Sequence, residues 1–211
     1  MSKKMKEKLV EFNRNNILEA AERLFSEKGV KETTMDDISK AADYSKSTIY
    51  VYFKSKEEIY NHIIFSHMCH LRETINSCVN IPESFEKCYF QICHAFTETY
   101  EQYPFYFESI MGDISVDETE LSECGILRQI YDEGERINDG MLKLFEKGVR
   151  EKYLREDIQI LPAVFMLWAS LVNTIKLANQ KEKYIVKRMG MSKSEFLEYS
   201  FGLLIWSIKR V

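Results

Sequence analysis

Proline and glycine are scarce in this chain, 3 and 8 among 211 residues. That is too few for collagen-like repeats, flexible low-complexity linkers, or an all-β chain built on many tight turns. A mostly helical chain is the default that remains. A dominant charge sign is lacking too: 29 Lys+Arg stand against 33 Asp+Glu, a net -4. Taken alone, that balance speaks against a nucleic-acid binder, whose footprint is a basic surface. Paired cysteines are also missing. Cys69, Cys78, Cys88, Cys93 and Cys124 form an odd set without a C-x-x-C pair, which fits reduced thiols better than a disulfide framework or a zinc ribbon. No apolar stretch follows the lysines of the first eight residues as a signal peptide requires, and no run of roughly 18 apolar residues offers a bilayer span. The expectation is a soluble, cytoplasmic protein with no membrane partner. No internal repeat emerges.

Catalytic signatures are equally wanting. There is no Gly-rich phosphate loop, Gly-x-Ser-x-Gly elbow or His-Glu-x-x-His helix, so neither an enzyme nor a bound cofactor is expected. His67 and His70, with Cys93-His94, offer nitrogen and sulfur ligands, but two further spaced ligands are absent and ordinary helix histidines are the simpler reading. A redox-sensing thiol would need a basic neighbour, and only Lys87 beside Cys88 supplies one.

What is present is an uneven distribution of charge. Residues 1–56 hold 12 Lys+Arg and 9 Asp+Glu, a net +3, whereas residues 57–211 hold 17 and 24, a net -7. Such asymmetry points to a basic, nucleic-acid-facing head on an acidic body.

Apolar residues Ile17, Ala20, Ala21, Leu24 and Phe25 recur at helical spacing between Phe12 and Lys28, and Gly29 follows as a stop. Thr34-Met-Asp-Asp37 has the spacing of a capping box and starts a short helix through Ile38 to Ala42. Ser45 can cap a third helix, Lys46 to Phe53, with Ile49 and Phe53 on one face. Ser55-Lys-Glu-Glu58 is a further capping box opening a long helix to about Asn76. Pro82 suits the first turn of a helix reaching Tyr103, and Pro104 ends it while starting another through Met111. Gly112 to Glu120 reads as an acidic loop. Leu121 to Tyr153 reads as one helix or a broken pair, because Gly134 and Gly140 weaken its continuity. Leu161 to about Asn179 is strongly apolar, and Ser192-Lys-Ser-Glu195 caps a last helix through Ile208. The sum is about nine helices and no sheet.

Within seven residues the third helix carries Lys46, Ser47, Thr48, Tyr50 and Tyr52, while Ile38, Ala42, Ile49 and Phe53 can hold two short helices together. That is the spacing of a helix-turn-helix, whose second helix enters the major groove while flanking groups hold phosphates. On periodicity alone a solvated helical hairpin fits equally well. The residues themselves say more. Ile17-Leu-Glu-Ala-Ala-Glu-Arg-Leu-Phe-Ser-Glu-Lys-Gly29, Thr33-Thr-Met-Asp-Asp-Ile38 and Ser45-Lys-Ser-Thr-Ile-Tyr-Val-Tyr-Phe-Lys-Ser-Lys-Glu-Glu-Ile59 resemble the DNA-binding domain of the TetR family of transcriptional regulators.

The resemblance implies an all-α homodimer. It implies an N-terminal three-helix helix-turn-helix DNA-binding domain, residues 1–56, and a C-terminal helical ligand-binding and dimerisation domain, residues 57–211. Such a protein is usually a repressor, released from a palindromic double-stranded DNA operator by a small-molecule effector. Carried over by position, Thr34, Ser45, Lys46, Ser47, Thr48, Tyr50, Tyr52, Lys54 and Lys56 match DNA contacts. Lys46, Ser47 and Thr48 face base edges, Tyr50 makes an apolar contact or a phosphate bond, and Thr34, Tyr52, Lys54 and Lys56 hold phosphates. Asp43 stands where the family commonly has Gly, Ser39 where it has Ala, and Tyr44 where it has a small aliphatic. Asp tolerates left-handed backbone, so the turn should survive. The lysines of residues 3–8 read as a solvated tail, with a DNA-touching arm as the alternative.

For the C-terminal part, the helix around Trp168 and the last helix resemble the family's dimer-forming pair. Tyr100, Tyr103, Phe105, Phe107 and Met111, together with Trp168, are the candidate lining for an apolar or cationic ligand. Plain core is the competing reading for each aromatic. A fold of the same kind without an inducer, using its C-terminal domain for protein partners, is the alternative function.

Overall fold

The structure, a computed structural model, describes residues 3–80, 82–104, 107 and 125–210. Among these are nine helices: α1 Lys3–Lys28, α2 Met35–Ala41, α3 Lys46–Tyr52, α4 Lys56–Asn80, α5 Phe85–Gln102, α6 Gly125–Arg150, α7 Ile160–Gln180, α8 Glu182–Met189 and α9 Lys193–Trp206. No strand occurs among the described residues; Leu154 and Lys209 form an isolated antiparallel bridge. The fold is all-α, as expected.

Contacts divide the chain into two compact units. One comprises residues 1–69 with 105–133, the other residues 70–104 with 134–211. In the first, Ile17, Ala20, Ala21 and Phe25 of α1 meet Ile38, Ala42, Ile49, Phe53, Ile59 and Ile63, all buried. Burying each of the larger side chains stabilises the fold by roughly 1.5–3 kcal/mol relative to exposure. The Thr34 hydroxyl accepts from the Asp37 amide at 3.2 Å and the Thr34 amide donates to the Asp37 carboxylate at 2.9 Å, so this capping box closes in both directions. The Lys28 ammonium and the Thr34 groups hold the Asp37 carboxyl well below the usual carboxylate range. The box at Ser55 closes halfway: its hydroxyl receives the Glu58 amide at 3.1 Å, but the Glu58 carboxylate accepts from the Lys54 amide instead.

In the second unit α7 packs on α9 and α5, and α8 lies against α7 and α9. The core contains Phe85, Ile92 and Phe96 of α5, Leu144 and Phe145 of α6, Leu167, Val172 and Ile175 of α7, and Leu197, Phe201 and Ile205 of α9. Gly148 lets α6 pass close to Phe85 and Leu154; a Cβ there would lie 2.8 Å from both side chains. The Glu151 carboxylate accepts from the Phe85 amide at 2.7 Å, at the start of α5. At the other end of this unit, Ser192 and Glu195 form the expected capping box of α9.

Several boundaries differ from the sequence reading. Helix α1 begins at Lys3 rather than near Phe12, so residues 3–8 continue a helix instead of forming a tail. Pro82 precedes α5, which starts at Phe85 with Ser84 as its cap. Helix α6 runs unbroken through Gly134 and Gly140, because its apolar residues Ile126, Ile130, Ile137, Met141, Leu144 and Phe145 keep helical spacing and are buried. Gly140 also accommodates the side chain of Ile75, which a Cβ would meet at 3.0 Å. Helix α8 had no sequence expectation. Helix α7 is long and apolar enough to cross a membrane by length and composition alone, contrary to the sequence reading. Here six of its residues, from Val164 to Ala178, are buried within the second unit. The segments expected as a helix ending at Met111 and an acidic loop at 112–120 fall almost wholly outside the described residues.

Candidate nucleic-acid interface

The turn between α2 and α3 depends on Asp43, which takes a left-handed conformation with φ 59°. Glycine would adopt it without strain, and aspartate is among the few other residues that tolerate it. Ser39 is buried, and its hydroxyl donates to the Asp36 carbonyl at 2.9 Å. Tyr44 turns inward, its hydroxyl donating to the Asn13 side-chain oxygen at 2.9 Å. Of the three departures from the family pattern, Ser39 is accommodated within α2, and Asp43 and Tyr44 sit in the turn without breaking it.

Ser45 caps α3. Its Oγ accepts from the Thr48 amide at 3.1 Å and lies 2.8 Å from the Ser47 hydroxyl and 2.7 Å from that of Thr48. Three hydroxyls thus gather at the first turn of α3. Ile49 and Phe53 point into the core, which leaves Lys46, Ser47, Tyr50, Val51 and Lys54 exposed. Val51 is 79% exposed, against 48% for Tyr50. An outward apolar side chain at that position suits the methyl group of thymine. Sequence reasoning passed over it because valine usually signals core; the helical spacing from Ile49 was the available clue.

The cations divide into two kinds. Lys46 pairs with Asp36 at 2.8 Å, and that partner raises its pKa. Both groups are more than half exposed, so the pair is weak and readily exchanged for a phosphate or a base edge. Lys54 is exposed. Lys56 is different: its ammonium donates to the carbonyls of Val30, Thr33 and Lys31 at 2.7, 2.8 and 3.3 Å. It closes the end of the α1–α2 connection. Tyr52 is likewise engaged, its hydroxyl receiving the Asn13 amide at 2.8 Å. The Arg14 guanidinium donates to the Tyr52 carbonyl at 2.9 Å and lies 4.4 Å from the centre of the Phe53 ring. Thr34 stands exposed at the α2 cap.

The matched stretch is specific. Residues 17–63 match the model of the bacterial regulatory proteins of the tetR family. Over 47 residues the chain is 51% identical to the uncharacterized HTH-type transcriptional regulator YhgD of Bacillus subtilis, covering 22% of this chain and 25% of YhgD. Over 198 residues it is 27% identical to IcaR of Staphylococcus aureus strain Newman, a negative transcriptional regulator of the biofilm operon icaADBC, covering 93% of this chain and all of that one.

Residues 17–63 carry the DNA-binding motif of the tetR family of bacterial regulatory proteins.

The matched stretch is a helix-turn-helix DNA-binding segment, and the relatives that share it are named as transcriptional regulators. The fold extends the likeness beyond the matched stretch. The SmeT–triclosan complex superposes with a TM-score of 0.66 at 22% identity, covering 94% of this chain and 92% of that one.

In the second unit, Trp168 borders a small cavity of about 20 Å³ with Tyr89, Ile92, Cys93, Met141, Leu144, Phe145, Leu167 and Leu171. The Trp168 ring meets Phe96 edge to face at 4.5 Å. Of the six residues expected to line a ligand site, Trp168 lines this cavity. Tyr100 and Tyr103 are half-buried at the end of α5, Phe107 is buried in the first unit, and Phe105 and Met111 lie outside the described residues. Burial pushes the Cys88 and Cys93 thiols and the Tyr89 hydroxyl upward in pKa, so both thiols stay protonated and poorly nucleophilic. The Lys expected to activate Cys88 is not its neighbour: Lys87 pairs with Glu83, while Lys147 lies 3.9 Å from the sulfur. His67 meets Glu22 at 2.7 Å, and His94 meets Glu198. Among the described residues no three His, Cys, Asp or Glu side chains gather as a metal site.

Proposed function

We propose that this protein is a repressor that binds a palindromic operator as a homodimer. DNA binding is assigned to residues 1–56 and effector binding and dimerisation to residues 57–211. The observation that carries the reading is the capped, exposed face of α3. In this reading Lys46, Ser47 and Thr48 reach base edges from the helix that Ser45 caps, Tyr50 makes an apolar contact or a phosphate bond, and Thr34 and Lys54 hold phosphates. Tyr52 and Lys56 keep the same assignment through position and charge, their hydrogen bonds holding α1, α2 and α3 in register. IcaR, a negative regulator, supports repression rather than activation.

Dimerisation is supported by two faces of apolar side chains in the second unit. Leu161, Phe165 and Met166 of α7 and Tyr199, Leu203 and Trp206 of α9 are each 45% or more exposed. Clusters of that kind normally mark a protein contact. A two-fold dimer would present two copies of α3 to two half-sites.

The effector is a small apolar or cationic molecule, and SmeT with bound triclosan supports that chemistry. An effector releases DNA only if it binds the DNA-free state more tightly, and the coupling is reciprocal. The tight cavity at Trp168 favours a second reading, in which no inducer binds and the C-terminal residues serve protein partners. Sedimentation, binding to duplexes enriched from a random pool, and a thermal shift with triclosan test the three parts. A dimer that binds an inverted repeat and is released by triclosan is the expected result. A monomer without duplex affinity refutes the reading, and a DNA-binding dimer indifferent to apolar and cationic compounds supports the inducer-free version.

A further inference from the structure

The first ten residues of α1, Lys3 to Phe12, are all exposed, although the helix is continuous with the buried stretch that begins at Ile17. At 1.5 Å per residue they extend the helix by roughly 15 Å beyond the packed part. Lys3, Lys4, Lys6 and Lys8 face two acids, Glu7 and Glu11, a net +2. The stretch leaves the first unit at one defined place. Asn13 bonds the hydroxyls of both Tyr44 and Tyr52, and Arg14 bonds the Tyr52 carbonyl. Stepping back along α1 from Ile17 by threes and fours passes Asn13, Val10, Lys6 and Lys3. Two of the lysines therefore share the helix face that Asn13 turns toward α3. Lys3, Lys6, Val10 and Arg14 also border one shallow groove of about 550 Å³, in which Glu7 and Glu11 leave three cations against two acids.

We infer that Lys3–Phe12 is a second DNA-contacting element, a basic helical arm whose lysines engage phosphates flanking the half-site under α3. This rests on the DNA-binding reading above and extends it to residues outside the matched stretch. Two observations select duplex DNA as the occupant. The arm carries excess positive charge on a chain of net -4, and it continues from the residues that brace the end of α3. Ten exposed residues alone are too few for a stable helix. The arm keeps its shape because α1 propagates into it, and phosphates would order it further.

The test compares the wild-type chain with a variant carrying Lys3→Gln, Lys4→Gln, Lys6→Gln and Lys8→Gln, on a mixed-sequence duplex of about 30 base pairs over a potassium chloride series. The slope of log affinity against log salt should become shallower by roughly 2 to 4 units, with at least a tenfold loss near 0.15 M salt and an unchanged melting temperature. Lys54→Gln serves as reference and should lower the slope by about one unit. If the wild type binds no duplex, the DNA reading itself fails. If Lys54→Gln lowers the slope and the fourfold variant does not, the arm is not a DNA element. A fourfold variant that changes only the sedimentation coefficient would assign the arm to a second copy of the chain and overturn the inference.

Discussion

The Lys56 ammonium donates to the Thr33 carbonyl at 2.8 Å, joining the start of α4 to the residue before the α2 cap. With Val30 and Lys31 it completes a three-carbonyl cradle. A side chain that the family pattern places on phosphate also fixes the geometry of the reading head. Lys56→Ala should therefore lower stability by about 1.5–3 kcal/mol, the range for charge-assisted bonds left unmade. It should weaken binding to every duplex as well. Urea unfolding of the variant reads the first effect; a stability equal to wild type would leave Lys56 with a phosphate role alone.

Asn13 receives the Tyr44 hydroxyl and donates to that of Tyr52. Its replacement by Ala leaves two part-buried hydroxyls without that partner, at an expected cost of about 1–3 kcal/mol. Tyr52→Phe removes one bond and should cost about 1 kcal/mol. In a double-mutant cycle the two changes should be non-additive, because they share a bond. Additive effects in denaturant unfolding would show that the bond contributes nothing.

His62 lies 3.1 Å from Arg14 and edge-on to Phe53 at 5.5 Å. Burial first, and then the Arg14 charge, lower its pKa below 6.5, with Glu58 opposing. The unfolded chain thus binds this proton more readily than the folded one. The neutral imidazole's contribution is full above the unfolded value and is lost as pH falls through the folded one. Stability should decline between about pH 7 and pH 5, and His62→Gln should flatten that decline. Melting temperatures across this range check the sign; a wild type that gains stability on acidification while the variant does not would contradict it.

Gly148 stands against Phe85 and Leu154, both fully buried. Gly→Ala normally favours a helix by roughly 1 kcal/mol. Here the added methyl would meet Phe85 ring atoms at 2.8 Å, so Gly148→Ala should destabilise by about 1–3 kcal/mol. A raised melting temperature would mean that the ring moves aside freely.

Several helix starts, in the reading head and in the second unit, were legible because their signals are local. Thr34 with Asp37 and Ser192 with Glu195 are capping pairs three residues apart, and both close as spaced. The pair at Ser55 looked the same, but Glu58 found the Lys54 amide instead. The extent of α1 was obscured because Met5, Leu9 and Phe12, although spaced by four and three, are outnumbered by charged neighbours and bury nothing. The surroundings of Trp168 were illegible for another reason: Tyr89, Cys93, Met141 and Leu144 lie on other helices far away in sequence. The aromatic run at residues 100–107 was a local signal for what is a tertiary property.

The exposed face of α3 is the part of the molecule proposed to read a specific duplex. Its most direct test is selection of duplexes from a randomised pool by the wild-type chain and by Tyr50→Ala and Thr48→Ala variants of verified fold. The wild type should enrich an inverted repeat, and each variant should lose or relax matching positions in both half-sites. Enrichment of no sequence by the wild type, or of the same repeat at the same strength by all three, would contradict it.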